Sequence, residues 1–197
     1  MHPPFAIRPL SLAALLVLSC SAAVAKAPAL SPAAAMPTLS TNITAAEVLA
    51  AQRAWGNALV QIATDFETGG IAKATATANA VLDAAYAYQL GPVLFKPTLT
   101  TAPHTFRTTR EGALAYFVGH NPNFPNDTGF ALNGWRSVEI RNVAMHLQGN
   151  IAKTMGNVMI TDRNGKVTTV DKTWGYLRDD QGRLRIVLHH SSLPVTN

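Results

Sequence analysis

Cysteine and charge are both scarce in this chain of 197 residues: Cys20 is the only cysteine, charged residues make up 14%, and only 11 residues are acidic. A lone cysteine supplies neither an intrachain disulfide nor a cysteine ligand set for zinc. The carboxylates Asp65, Glu67 and Asp83 fall on helical segments and Glu139 and Asp171 on strand-like ones, without the pairing that two-carboxylate chemistry uses. The longest apolar run, Leu10 to Leu18, is too short to span a bilayer as a helix. Basic residues exceed acidic ones by five, yet Lys153, Arg163, Lys166, Lys172, Arg178, Arg183 and Arg185 stand singly around expected hairpins. With no basic run interleaved with aromatics, nucleic acid is not an expected partner. A mildly positive surface favours small anions.

The first 25 residues carry an address. A weakly basic leader to Arg8, the apolar run, and Ala23-Val24-Ala25 as a small-x-small cleavage site read as a signal peptide for export to the periplasm or outside the cell. Cleavage after Ala25 removes Arg8 and Cys20, lowers the formal charge from +5 to +4, and leaves no expected membrane segment in the mature chain. Acylation of Cys20 after Val17-Leu18-Ser19 is the alternative reading of the same stretch. Residues 26–43, rich in Ala, Pro, Ser and Thr, are expected to be a flexible leader, and residues 44–197 a single domain.

Thr44 and Glu47 have capping-box spacing. Val48, Gln52, Trp55, Leu59, Ile62 and Phe66 then recur at alternating steps of four and three, predicting a long amphipathic helix that ends before Gly69-Gly70. An alanine-rich second helix is expected from about Ile71 to Tyr86, a short strand over Val93–Lys96 stopped by Pro97, and a third helix over Thr108–Val118. The turn-rich segment Gly119 to Asp127 reads as a long loop. Strand patterns follow over 135–147, 151–161, 167–177 and 184–191, separated by Gln148-Gly149, Asn164-Gly165 and Asp179 to Gly182. Helices followed by a strand meander predict an α+β cone, its curved antiparallel sheet wrapped around the N-terminal helices and leaving a conical pocket.

The last strand carries the most informative pattern. After Ile186-Val187-Leu188 it delivers His189-His190-Ser191-Ser192. Alternation places His189 and Ser191 on one face, with Val187, and His190 and Ser192 on the other. A solvated strand end would account for these polar residues, but apolar residues on both faces just before them argue for a covered strand whose polar groups need partners.

The element order resembles the nuclear transport factor 2-like superfamily from Thr44 onward. Three motifs sharpen the resemblance: Val93-Leu94-Phe95-Lys96-Pro97-Thr98, Phe106 through Gly119, and Leu188-His189-His190-Ser191-Ser192-Leu193-Pro194. They resemble the branch of the iota-class carbonic anhydrases that works without a metal. The resemblance implies a CO2 or bicarbonate pocket built from Thr98, Tyr116, His189 and Ser191, no cofactor, and no metal. Other iota-class members carry three consecutive histidines; the first of those positions is Leu188 here.

Elementary chemistry constrains how such a site could work. Preforming hydroxide at neutral pH without a metal costs about 12 kcal/mol. A base must therefore take the proton as water attacks CO2. Of the four residues only His189 ordinarily titrates near neutrality, making it the expected base or relay, while Tyr116, Thr98 and Ser191 orient water and donate to the developing carboxylate. His104, His120 and His146 lack comparable neighbours, and His190 is left to an interface or second pocket. Alternatives on the same cone are an isomerase or cyclase, which would want a buried carboxylate base, and a non-enzymatic ligand-binding or association domain. A zinc cyclohydrolase would want cysteines. One exposed sheet face suggests a homodimer.

Overall fold

The computed structural model describes residues 41–195, so the expected signal peptide and residues 26–40 of the expected leader lie outside the described residues. Ile43, assigned above to the leader, is buried in the core and its amide bonds to the Gly149 carbonyl at 2.8 Å. Arg178 reaches the Thr41 and Asn42 carbonyls and Glu47.

Helix α1, Ala45–Ala85, starts at the expected capping box: the Glu47 amide donates to the Thr44 hydroxyl, and Glu47 Oε2 accepts from the Thr44 amide at 2.8 Å. Gly70 interrupts α1 with φ 68° and ψ −167°, where the sequence places the break between two helices. Asp65 pins the two halves together. Its carboxylate accepts from Gln61 at 2.9 Å and Thr77 at 2.6 Å and pairs with Lys73 at 3.0 Å. These hydrogen bonds, Thr77 foremost, lower its pKa. The buried stripe is as expected from Val48 to Ile62, with Phe66 half-buried. The polar exception, Gln52, is satisfied by Asn142 at 3.0 Å and Thr154 at 3.1 Å.

Strand β1, Leu94–Lys96, precedes α2, Arg110–Val118, whose N-cap Thr109 accepts from the Gly112 amide. The 119–127 loop is tied down by an ion pair between Asp127 and Arg107, both buried, at 2.7 Å, while Phe124 packs under the guanidinium. Strands β2, Trp135–Gln148, β3, Ile151–Asp162, β4, Val167–Arg178, and β5, Leu184–Ser192, complete a sheet of order β1-β5-β4-β3-β2. Where β2 bulges between Asn142 and Ala144, Gly156 of β3 passes so close that a Cβ would overlap the Arg141 carbonyl oxygen.

Two features differ from the sequence reading. The sheet is mixed, because β1 runs parallel to β5, pairing Phe95 with His189. That edge strand arrives from the helical part of the chain, not through a hairpin, so nothing obliges it to be antiparallel. The second difference is a bulge in β5: Gly175 pairs with Leu188 but Tyr176 with Ile186, leaving Val187 as the extra residue. The bulge resets the alternation, so the buried residues before the site are Arg185 and Ile186 and Val187 is only half-buried. Arg185 itself binds Asp179 at 2.8 Å and the Asp83 and Ala84 carbonyls at 2.6 Å, placing a cation on the C-terminal end of α1. The result is an α+β cone, a curved open sheet around α1 and α2.

Candidate active site

Thr98, Tyr116, His189 and Ser191 all line one cavity, which also takes in Trp55, Phe95, Pro97, Phe117, Phe130, Ile160, Val170 and Lys172. It is tight, offering about 10 Å³ to the centre of a water-sized sphere. Each element brings its residue for a local reason. Pro97 ends β1 and leaves Thr98 on the rim; α2 presents Tyr116 inward beside Phe117; β5 alternation after the bulge turns His189 and Ser191 inward and His190 outward. His189 and Ser191 are 2% and 1% exposed, so the strand end is covered.

Two polar groups meet at this cavity. At the rim, Thr98 Oγ1 and Ser191 Oγ lie 2.5 Å apart. Burial raises the Tyr116 pKa, offset in part by hydrogen bonds from the Leu99 and Thr98 backbone and from the Thr98 side chain, so the tyrosine is a neutral hydroxyl beside Thr98. Lys96 Nζ donates to the Ser191 carbonyl at 3.2 Å, fixing the strand end from the edge.

Deeper in, His189 has both ring nitrogens engaged: Nδ1 is 2.8 Å from the Tyr86 hydroxyl and Nε2 is 2.7 Å from Lys172 Nζ. Trp55 Nε1 donates to the Tyr86 oxygen at 3.0 Å. Phe95 stacks on the imidazole with centroids 4.4 Å apart. Burial first, then the charge of Lys172 and of His190, pushes the His189 pKa well below its ordinary value, so the ring is neutral. Lys172 is equally enclosed, its Nζ over the Trp55 ring at 4.9 Å and the Trp174 ring at 5.5 Å. Burial pushes its pKa down to about 7.

Lys172 corrects the sequence reading, which set it among scattered surface charges together with Arg185; they are 5% and 2% exposed. The signal was available. Val170, Lys172 and Trp174 share one strand face, so a lysine at the middle position sits between two core residues. The sequence reading likewise gives no site role to Tyr86, Trp55 or Trp174, and places only Trp55 in the core. Among the other histidines, His104 packs on Phe124 and His120 bonds to the Val118 carbonyl, while His190 faces a separate outer groove lined by Leu94, Phe106 and Leu188. Among the described residues, no group of three or more His, Cys, Asp or Glu side chains is placed to hold a metal ion.

A neutral, hydroxyl-lined cavity with a buried lysine behind it, on this cone, defines a small-molecule site. The family model for metal-independent carbonic anhydrase matches residues 46–193. A curated metal-independent carbonic anhydrase of Nostoc sp. (strain PCC 7120) is 63% identical over 158 residues, covering 80% of this chain and 77% of the relative. The crystal structure of a cyanobacterial iota-carbonic anhydrase complexed with bicarbonate superposes with a TM-score of 0.81 at 61% identity, covering 82% of this chain and 99% of that one. A putative calcium/calmodulin-dependent protein kinase II association domain from Xanthomonas campestris superposes at 0.52 and 25% identity, covering 83% and 95%. The chain belongs to the metal-independent carbonic anhydrase family.

The buried lysine predicts a pH dependence of stability. Between pH 7 and the ordinary lysine value of 10.5, the unfolded chain holds a proton that folded Lys172 has lost, so stability rises with pH across that window. Urea unfolding at pH 7 and pH 9 is expected to give the higher free energy at pH 9, and Lys172→Met is expected to abolish the rise. Equal slopes for the two proteins would contradict the burial of a titrating amine.

Proposed function

We propose that this protein is a carbonic anhydrase, interconverting CO2 and bicarbonate at the cavity between β1, α2 and the end of β5 without a metal. The observation that carries this reading is the convergence of Thr98, Ser191 and Tyr116 with His189 on that cavity. Three hydroxyls can donate to a carboxylate while accepting from a water, and the aromatic and aliphatic walls suit apolar CO2. His189 is held neutral with both ring nitrogens occupied, which leaves it without a free lone pair for the attacking water. Its part is to connect the Tyr86 hydroxyl to Lys172 at the back of the cavity.

The association-domain alternative draws only on a fold likeness and gives no reason for the close Thr98–Ser191 hydroxyl pair. A carboxylate-based isomerase or cyclase is also disfavoured, since none of the twelve residues lining the cavity is acidic.

We further propose export after cleavage at Ala25, and a homodimer formed through the outer sheet face, where Leu94, Phe106 and Met155 are exposed. Intact mass from a native host is expected to begin at Lys26, and sedimentation to give a dimer; a retained Met1 or a monomer at micromolar concentration would overturn the respective reading.

The activity is tested by stopped-flow CO2 hydration after exhaustive chelation. Hydration is expected to persist, and Ser191→Ala or Tyr116→Phe is expected to lower kcat/KM by about 10²-fold with unchanged thermal unfolding. Loss of activity on chelation, or full activity in both variants, would defeat the proposal.

A further inference from the structure

The hydrogen bonds behind the cavity have a direction. Trp55 Nε1 can only donate, so the Tyr86 oxygen accepts from it at 3.0 Å. The Tyr86 proton then needs an acceptor, and the partner at 2.8 Å is His189 Nδ1. An imidazole accepting at Nδ1 carries its proton on Nε2 when neutral, and Nε2 lies 2.7 Å from Lys172 Nζ. An ammonium has no lone pair with which to accept that proton; an amine does. Each of the three hydrogen bonds linking Trp55, Tyr86, His189 and Lys172 has one donor and one acceptor when the lysine is neutral. If the lysine is charged it must donate to Nε2, His189 must shift its proton to Nδ1, and the Tyr86 hydroxyl loses its acceptor.

We propose that Lys172 is the proton acceptor of the hydration step, neutral while the cavity holds CO2 and water and an ammonium while it holds bicarbonate. This rests on the carbonic anhydrase reading. Lys172 lines the same cavity as the hydroxyls, and its Cα is the register partner of Ser191. As the water oxygen forms its bond to carbon, one C=O electron pair moves to oxygen and the water O–H pair stays with the water oxygen. The released proton bonds to the Nζ lone pair, which turns from Nε2–H to the water. Neutral CO2, water and amine thereby become bicarbonate and ammonium, and once bicarbonate leaves, the ammonium returns its proton to solvent.

The groups around Lys172 fit this exchange. The titratable ones sharing the cavity wall are His189 on β5 and Tyr116 on α2, with Tyr86 at the end of α1 behind His189; none is a carboxylate. Lys96 on the edge strand is engaged with the Ser191 carbonyl, and the Asp127 carboxylate with Arg107. The amine therefore has no anionic partner until bicarbonate forms, and burial keeps its resting pKa near neutrality, at about 7. A base with that value suits proton transfer at physiological pH. The two tryptophan faces stabilise the cation when it appears.

The test is bicarbonate titration calorimetry at pH 8 in two buffers of different ionisation enthalpy, with hydration rates on the same samples. Wild type is expected to take up close to one proton per bicarbonate bound. Lys172→Met is expected to take up none and to hydrate CO2 at least about 10²-fold more slowly, with its fold checked by circular dichroism. Nitrogen NMR of His189 adds a signature that a packing role would not give: a shift from the Nε2–H to the Nδ1–H tautomer on bicarbonate binding. Active wild type that binds bicarbonate without proton uptake overturns this proposal alone, as does a Lys172→Met variant of full activity. Should that variant fail to fold, wild-type proton uptake and the tautomer shift decide the question. Absence of both hydration and bicarbonate binding in the wild type would instead remove the carbonic anhydrase reading and this one with it.

Discussion

Burying a lysine amine away from any carboxylate is costly, and here the cost is met by a single hydrogen-bond chain running from Trp55 through Tyr86 and His189 to Lys172. That chain joins the first half of α1, the residue that ends α1, and strands β5 and β4. It fixes the tautomer and rotation of His189, and through the β5 backbone the position of Ser191. Removing one member would leave a buried polar group unpaired, a penalty of about 1–3 kcal/mol and more for a charged group. The Asp65 pin joins the two halves of α1 across the Gly70 break, and the Arg185 clamp holds the end of that helix against β5, the strand that carries His189 and Ser191.

Metal-free hydration of CO2 has to solve an electrostatic problem in both directions. The reactant is neutral and apolar; the product is an anion. A permanently charged site would favour bicarbonate throughout and slow its release, whereas a permanently neutral one would offer it no countercharge. A cavity of neutral hydroxyls backed by an amine poised near neutrality can change its charge with the reaction. The aromatic wall of Trp55, Phe95, Phe117 and Phe130 supports this by keeping the dielectric low, which lowers the lysine pKa and strengthens each donor aimed at the anion.

Much of this was legible in the sequence. The capping box, the break at Gly69-Gly70, the strand meander and the inward pairing of His189 with Ser191 all follow from local spacing, which a backbone obeys wherever packing agrees with it. Convergence of Thr98 and Tyr116 on that pair came from motif resemblance, since no local rule brings residues 98, 116 and 189 together. What escaped depended on long-range structure. The Val187 bulge is a property of pairing with β4 and has no signature in β5 itself. Lys172 was read as one more scattered charge, although Val170 and Trp174 flank it on the same face; strand period outranks residue polarity there. The same period explains Leu188, which faces the outer groove with His190, so that a histidine at 188 would point away from the cavity that holds His189.

The account stands on one cavity being the bicarbonate site, and a crystal structure of the wild-type protein soaked in bicarbonate tests that directly. The anion is expected within hydrogen-bonding distance of Thr98 Oγ1, Ser191 Oγ and the Tyr116 hydroxyl, against the face of the Phe95 and His189 pair, with Lys172 Nζ as the nearest cation. Bicarbonate bound instead in the outer groove among Leu94, Phe106 and His190, with the inner cavity holding only water, would contradict it.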